Sequence, residues 1–423
     1  MKFGVGKDLI TPDVLTSMGG YSSFHGKHFL GIHDHLYVKA LLLDDGKERL
    51  MFISIDLLFH DYALTETVKQ YALEKHGISR DCLFLSYTHT HGGPAIRGYG
   101  DPGQYSETYE QFLLARIKSC MDRTLLNQYE GSMEYGSIEG DWNINRRKPV
   151  DGRIELAPNP EGAKDNTLHM LKLVDRNGHI KAVTIFYACH PVTVRDTLYL
   201  SGDFPGRICQ LLEAECFGAT AIFLQGAGGN ARPKITASGN EFLTKTYEEV
   251  NEMSVAIVER IKRTLFKAGA FTKIEADFVA RQFEIPLSLD PFPKQRFAEA
   301  ASDKREPIGT RRVAEGVYAR YEQMPDEIRL PGGFARLGRD LFLAYLGGEP
   351  CYEVKQHLES FFPGKYLLFI GYADSKAYVP NDKLNAEGGY EASGSTIEYG
   401  LKGTFKYIDR SIEQAFKSAL SIT

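Results

Sequence analysis

The stretch LSYTHTHGGPA, residues 85–95, closes an apolar run with two histidines two positions apart, followed by a glycine pair. Its first half reads as a buried strand and its second half as that strand's polar exit into a turn. In an extended segment residues i and i+2 face the same way, so His89 and His91 are expected to look into one cavity. A neutral imidazole is a frequent ligand for zinc, but two histidines at a polar strand end also serve as ordinary hydrogen-bonding groups. HxH alone leaves both readings open. Two familiar zinc patterns are excluded: no HExxH occurs, and Gly93 and Pro94 stand where an HxHxDH motif would continue.

The same arrangement recurs along the chain. LYVKALLLDDGKERLMFISIDLL reads as a hairpin around Asp44-Asp45-Gly46, and TLHMLKLVDRNGHIKAVTIFYACHP as a second hairpin turning at Asn177-Gly178 and running into His190-Pro191. GATAIFLQGAGGN, LFLAYLGGEP and KYLLFIGYADSKAYVP are further strands that open into glycines, an acid or tyrosines. Helical spacing is expected over Tyr62–His76, near Tyr109–Thr124, over Lys245–Lys267 and over Phe405–Leu420. The span Pro286–Gly333 is more polar and less regular, which suggests an insertion or lid. Five strand ends thus deliver polar residues into turns: Thr88–His91, Cys189–Pro191, Gln225–Asn230, Gly347–Pro350 and Tyr372–Tyr378. In α/β folds ligand sites gather at such ends, so one shared site is expected. The fold class is α/β, with mixed sheets flanked by helices, and residues 1–423 are expected to form one catalytic domain.

Composition sets the outer bounds. The 423 residues are 43% hydrophobic and 25% charged with a formal net charge of −5, which lacks the basic excess of a nucleic-acid binder. No window approaches the ~20 consecutive apolar residues of a membrane span, and MKFGVGKDLITP enters a strand pattern at once, so a cytoplasmic protein without stable membrane insertion is expected. Six scattered cysteines form no CxxC pair. Any metal is therefore held by histidine, carboxylate or phenolate.

GVGKDLITP, GIHDHLYVKALLL, SYTHTHGGP, ACHPV, SGDFPG and YVPNDKLNAEGGYEASGST follow one another in the order, and with roughly the spacing, of motifs in the neutral ceramidase family, which the chain resembles from Gly4 to Thr396. The resemblance implies the neutral-ceramidase catalytic fold and a zinc ion (Zn2+) that serves amide hydrolysis of ceramide. It implies as metal ligands His89 from THTH, His190 from ACHPV, Glu349 from LGGEP and Tyr378 from AYVP. Such a set leaves room for water, whose pKa zinc lowers towards ~7. His91 is then expected beside the metal as a proton carrier or as a group that orients another. Tyr390, twelve residues after Tyr378 as in the family, is expected to donate to an oxyanion, and Arg146 of NINRRKP to face the polar head of the substrate. Asp203 and His33 are expected to orient ligands or fix loops.

One loop departs from the family. Where a serine, then proline and asparagine, are expected, LQGAGGNARPK has Arg232, Pro233 and Lys234. Arg232, with Asn230 and Gly229, is expected to contact the substrate. An acyl-serine mechanism is excluded there, while activated water survives the change. A cation in that place suggests an anionic or strongly polar substrate. The family's extra C-terminal β-sandwich is not read in this chain, which favours a small soluble or amphiphilic molecule as partner. Three functions follow in order: a zinc-dependent amidase or esterase of ceramidase type on such a molecule, a true ceramidase, and a metal-stabilised binding protein without chemistry.

Overall fold

A computed structural model describes residues 1–59, 62–97, 105–195 and 197–421. Two large sheets carry the architecture. The first has nine strands, eight of them in the hydrogen-bonded order Thr220–Gln225, Ile180–Tyr187, Thr167–Asp175, Gln128–Glu139, Lys2–Leu9, Tyr37–Asp44, Arg49–Ile55, Leu83–Tyr87; the ninth, Thr272–Ile274, pairs with Gln128–Glu139. Both hairpins read from the sequence are here, and the second turns at Gly178 with φ 84°, a value that a side chain would strain. The outermost pair at each edge is parallel, and Leu83–Tyr87 and Ile180–Tyr187, one strand from each of these pairs, are followed by His89 and His190.

These strands lie at opposite sides of the sheet, yet the sheet curls enough to bring them together. Lys39 Nζ donates to the Ala221 carbonyl at 2.8 Å, tying an inner strand to the far edge. The second sheet closes the gap: Ser86 Oγ donates to the Gly371 carbonyl at 2.9 Å, and Tyr345 Oη to the Leu85 carbonyl at 2.9 Å. Phe84 and Tyr345 pack edge to face, ring centroids 5.3 Å apart, inside a core cluster that includes residues of both sheets.

The second sheet has five strands in the order Tyr366–Val379, Leu341–Pro350, Glu327–Gly338, Val279–Pro291, Gly403–Lys406. This corrects the reading of Pro286–Gly333 as one irregular insertion. Both of its ends are ladder strands, with Ile285 opposite Leu330. Prolines hid them: Ile285, Leu287 and Leu289 alternate as buried residues, while Pro286 sits where the short neighbour Gly403–Lys406, which pairs from Ser288 onward, no longer needs its N–H. Only the middle leaves the sheet, as helices Lys294–Ser302 and Ile308–Arg320.

The helices follow the sequence closely. Tyr62–His76 has the expected bounds, and Glu107–Leu126 extends the expected Tyr109–Thr124 because Ser106 accepts from the Tyr109 N–H as its cap. Tyr247–Leu265 starts at a capping box between Thr246 and Glu249 and buries Val250, Met253, Ile257, Ile261 and Leu265 along one face. The last segment differs from the single expected helix Phe405–Leu420. Gly403–Lys406 is a strand, Tyr407 breaks direction at φ 53°, and the helix is Ile408–Leu420. Among the described residues no helix is long and apolar enough to cross a membrane.

Candidate metal centre and substrate cavity

His89 and His91 do converge, but not through an extended backbone. The strand ends at Tyr87, and His89 adopts φ 66°, a left-handed conformation uncommon outside glycine. That turn aims the imidazole inward. Its Nδ1 donates to the Leu58 carbonyl at 2.8 Å, leaving Nε2 with a lone pair. His190 comes from the other side of the sheet, its Nδ1 facing the Tyr372 hydroxyl at 3.2 Å and the Gly228 carbonyl at 3.4 Å. The two Nε2 atoms lie 3.1 Å apart, and Glu349 Oε2 lies 3.4 Å from each. Tyr378, paired opposite Glu349 in the second sheet, places its hydroxyl 3.5 Å from His190 Nε2. A ligand atom of His91 completes a trio whose nitrogens lie within 4.8 Å of one another.

This donor set fits a divalent cation. His89, His190 and Glu349 are all buried, and lone pairs converge there on one point. Glu349 Oε2 accepts no hydrogen bond. A buried carboxylate oxygen without a donor is unfavourable, and a cation is the species that satisfies this oxygen and the imidazole lone pairs together. The electrostatics agree. Burial, reinforced by His89, holds His190 well below the usual imidazole range, so it is a neutral ligand. Burial pushes Glu349 up, but His89 and the Tyr399 hydroxyl more than reverse it, so the carboxylate stays ionised.

Tyr399 was not visible in the sequence as a site residue. Its hydroxyl donates to Glu349 Oε1 at 2.5 Å and so orients the carboxylate. Burial, then Glu349, raise its pKa well above the ordinary value, which keeps the proton on the phenol. The expected aspartate partner for an imidazole is absent from this role. Asp203 instead accepts from the backbone N–H groups of Thr193 and Phe204, and His33 stacks on Tyr247 with centroids 3.6 Å apart; both fix loops. Backbone carbonyls and Tyr372 orient the imidazoles.

Over this floor opens a cavity of about 710 Å³. His91, Arg146, Tyr378, Tyr390 and Arg232 all line it, as does Arg195, five residues beyond His190. One wall is helix Ile308–Arg320, so the middle of the irregular span does overhang the site. His91 has both ring nitrogens shielded from solvent, and burial followed by His89 keeps it neutral. Arg146 is 1% exposed; its Nε donates to Glu391 Oε1 at 2.7 Å, its carbon Cζ lies 5.1 Å from the Tyr378 ring centre and 5.5 Å from that of Tyr390, and Nη2 has no partner. Tyr390 donates to Glu398 Oε2 at 2.9 Å.

The remaining two loop residues stand behind the site. Gly229 donates its N–H to the Pro350 carbonyl, and a Cβ there would meet the Glu349 carbonyl oxygen at 2.5 Å. Asn230 donates to Glu353 Oε2 at 2.8 Å and accepts from the Tyr352 N–H at 3.0 Å. Neither lines the cavity; they clamp the strand end that bears Glu349.

Fold and site together describe a mixed α/β protein with a buried histidine–carboxylate cluster suited to a metal ion at the floor of a cavity. Residues 1–239 match the family described as neutral/alkaline non-lysosomal ceramidase, N-terminal. The chain belongs to that family. Neutral ceramidase A of Dictyostelium discoideum is 27% identical over 243 residues, covering 51% of this chain and 32% of that protein, so this chain matches about a third of that relative's length. The neutral ceramidase of Pseudomonas aeruginosa has a similar fold, with a TM-score of 0.74 at 20% identity over 98% of this chain and 73% of that one. A ceramidase complexed with C2 gives 0.75 at 19% identity over 98% and 74%.

Proposed function

We propose that the protein hydrolyses the amide bond of an N-acyl amphiphile of the ceramide type, with zinc held by His89, His190, Glu349 and Tyr378. The observation that carries this reading is the convergent donor set at the floor of a cavity large enough for an acyl chain, in a member of the ceramidase family. When bound, a divalent cation there supplies Lewis acidity towards water and an acyl carbonyl. The protein's own groups do the rest. Neutral His91 takes a proton from the attacking water and delivers one to the departing amine, so the C–N bond breaks as the C–O bond forms and the products are a carboxylate and an ammonium. Arg146 Nη2, which has no partner within the protein, supplies a hydrogen bond to the acyl oxygen, while the Tyr390 hydroxyl, whose proton goes to Glu398, offers a lone pair to the adjacent head-group hydroxyl. A more polar substrate is favoured by the arginines of the cavity wall, Arg232 first among them.

Metal content of protein purified without chelator or metal-affinity resin, followed by assay on short-chain N-acylsphingosine, tests the reading. Near-stoichiometric zinc is expected, with activity lost on chelation and restored by zinc. Protein that takes up no divalent metal when zinc is offered would remove the amidase reading and leave a binding protein. Glu349→Ala and His190→Ala should lower metal retention sharply while the fold persists; full occupancy in both would refute the ligand set.

A further inference from the structure

The cavity holds more guanidinium charge than its own acids neutralise. Arg146 shares the buried Glu391 carboxylate with Arg147, whose Nη1 lies 2.8 Å from Oε2. Arg232 has no such partner. It is 8% exposed, its Nε is sealed from solvent without a hydrogen bond, and among the described residues it forms no ion pair; its Cζ lies 4.8 Å from the Phe242 ring centre. Arg195 is similar, with its Nε also unsatisfied and its Cζ 5.5 Å from the centre of the Tyr21 ring. Tyr21 in turn lies 4.7 Å, ring to ring, from His91. Arg195 is therefore one aromatic ring removed from the metal-site histidines.

Both side chains stand on fixed backbone. Arg232 sits in strand Ala231–Pro233, paired opposite Ile144 in Asn143–Val150. The Arg195 N–H donates to Thr244 Oγ1 at 2.8 Å, and Asp203 holds the same loop at the Thr193 N–H. Burying cations without counter-charge is unfavourable, and a guanidinium fork matches the paired oxygens of a phosphate, sulfonate or carboxylate. We infer that Arg195 and Arg232 form an anion-binding subsite of the cavity, so that the substrate carries a phosphate, sulfonate or carboxylate near its scissile amide. This deepens the proposed amidase reading and rests on it. The repulsion is already expressed in Arg232, which burial, with Arg146 and Arg195 adding to it, lowers to about 10.

The test uses the zinc-loaded full chain with N-hexanoylsphingosine and its 1-phosphate. The expected result is at least a tenfold higher kcat/KM for the phosphate ester, with that preference falling at least tenfold in Arg232→Gln and in Arg195→Gln, mainly through KM. Preference for the neutral lipid, or a ratio unmoved in both variants, overturns the inference. Arg195, less buried than Arg232, supplies a second variant whose folding is less at risk. If neither lipid is cleaved, the amidase reading has failed, and calorimetric titration with octyl phosphate against octanol decides the subsite separately: binding of the phosphate alone, lost in Arg232→Gln, upholds it, and equal or no binding overturns it. Inorganic phosphate should inhibit the 1-phosphate competitively. Stimulation of neutral-lipid turnover instead would assign the subsite to a free ion and overturn the substrate class.

Discussion

Replacing Tyr399 by phenylalanine removes one oxygen atom and tests the whole construction of the metal centre. The hydroxyl donates to Glu349 Oε1 at 2.5 Å, while Oε2 is the oxygen facing both imidazoles. Glu349 is fully buried, so no solvent takes over the lost bond. A hydrogen bond to a charged group contributes about 1.5–3 kcal/mol. At 1.4 kcal/mol per decade this becomes roughly 10- to 100-fold weaker metal binding, the range typical for partners that orient a ligand. Chelator competition with zinc measures it directly, and circular dichroism confirms that the fold persists. Glu349→Gln sets the scale, since it removes the ligand charge itself and should cost more. Zinc affinity within threefold of wild type in a folded Tyr399→Phe variant would refute the view that this phenol holds the ligand.

Gly229→Ala drives a methyl group to 2.5 Å from the Glu349 carbonyl oxygen, so it should destabilise the protein by about 1–3 kcal/mol and weaken zinc binding; a normal melt with normal metal content would contradict the clamp. Burial, with Lys355 adding to it, lowers His169 to about 3, whereas the unfolded imidazole takes its proton near 6.5. The unfolded chain then binds more protons between those values, so His169 contributes stability that is intact above pH 6.5 and falls as the pH drops towards 3, by up to ~1.4 kcal/mol per pH unit. Urea unfolding between pH 6 and 4 should show a flatter dependence for His169→Gln, and parallel curves would count against this assignment. Gly316 lines the cavity from helix Ile308–Arg320 with no atom other than Arg320 Nη2 near its missing Cβ. Gly316→Phe should therefore raise KM for long-acyl substrates more than for short-acyl ones, and equal effects on both would place the acyl chain elsewhere.

What the sequence made legible was whatever rests on local periodicity and on short motifs. Helix Tyr62–His76 and the two hairpins follow from spacing and turn residues, and His89, His190, Glu349 and Tyr378 each mark the end of an apolar run. The reasons were less legible than the positions. His89 turns inward through a left-handed backbone rather than strand alternation, because the Leu58 carbonyl captures its Nδ1 after the strand has ended. Tyr399 follows Tyr390 in a polar stretch with no strand to mark it, and its role exists only through a contact 50 residues away in sequence. Glu391, which holds Arg146 and Arg147, is likewise a long-range partner. Strand Val279–Pro291 was obscured because proline interrupts the alternating pattern without interrupting the ladder.

The candidate ligands are spread widely along the chain, from His89 through His190 to Glu349 and Tyr378, and they belong to both sheets. No local segment can form the centre by itself. Contacts between residues so far apart form late, after long loops have been closed. Any cation held there would meet the complete set only once the curled first sheet and the five-stranded sheet have docked. A chain stalled before docking would hold its two histidines apart from Glu349 and Tyr378, and so would lack half of the candidate set.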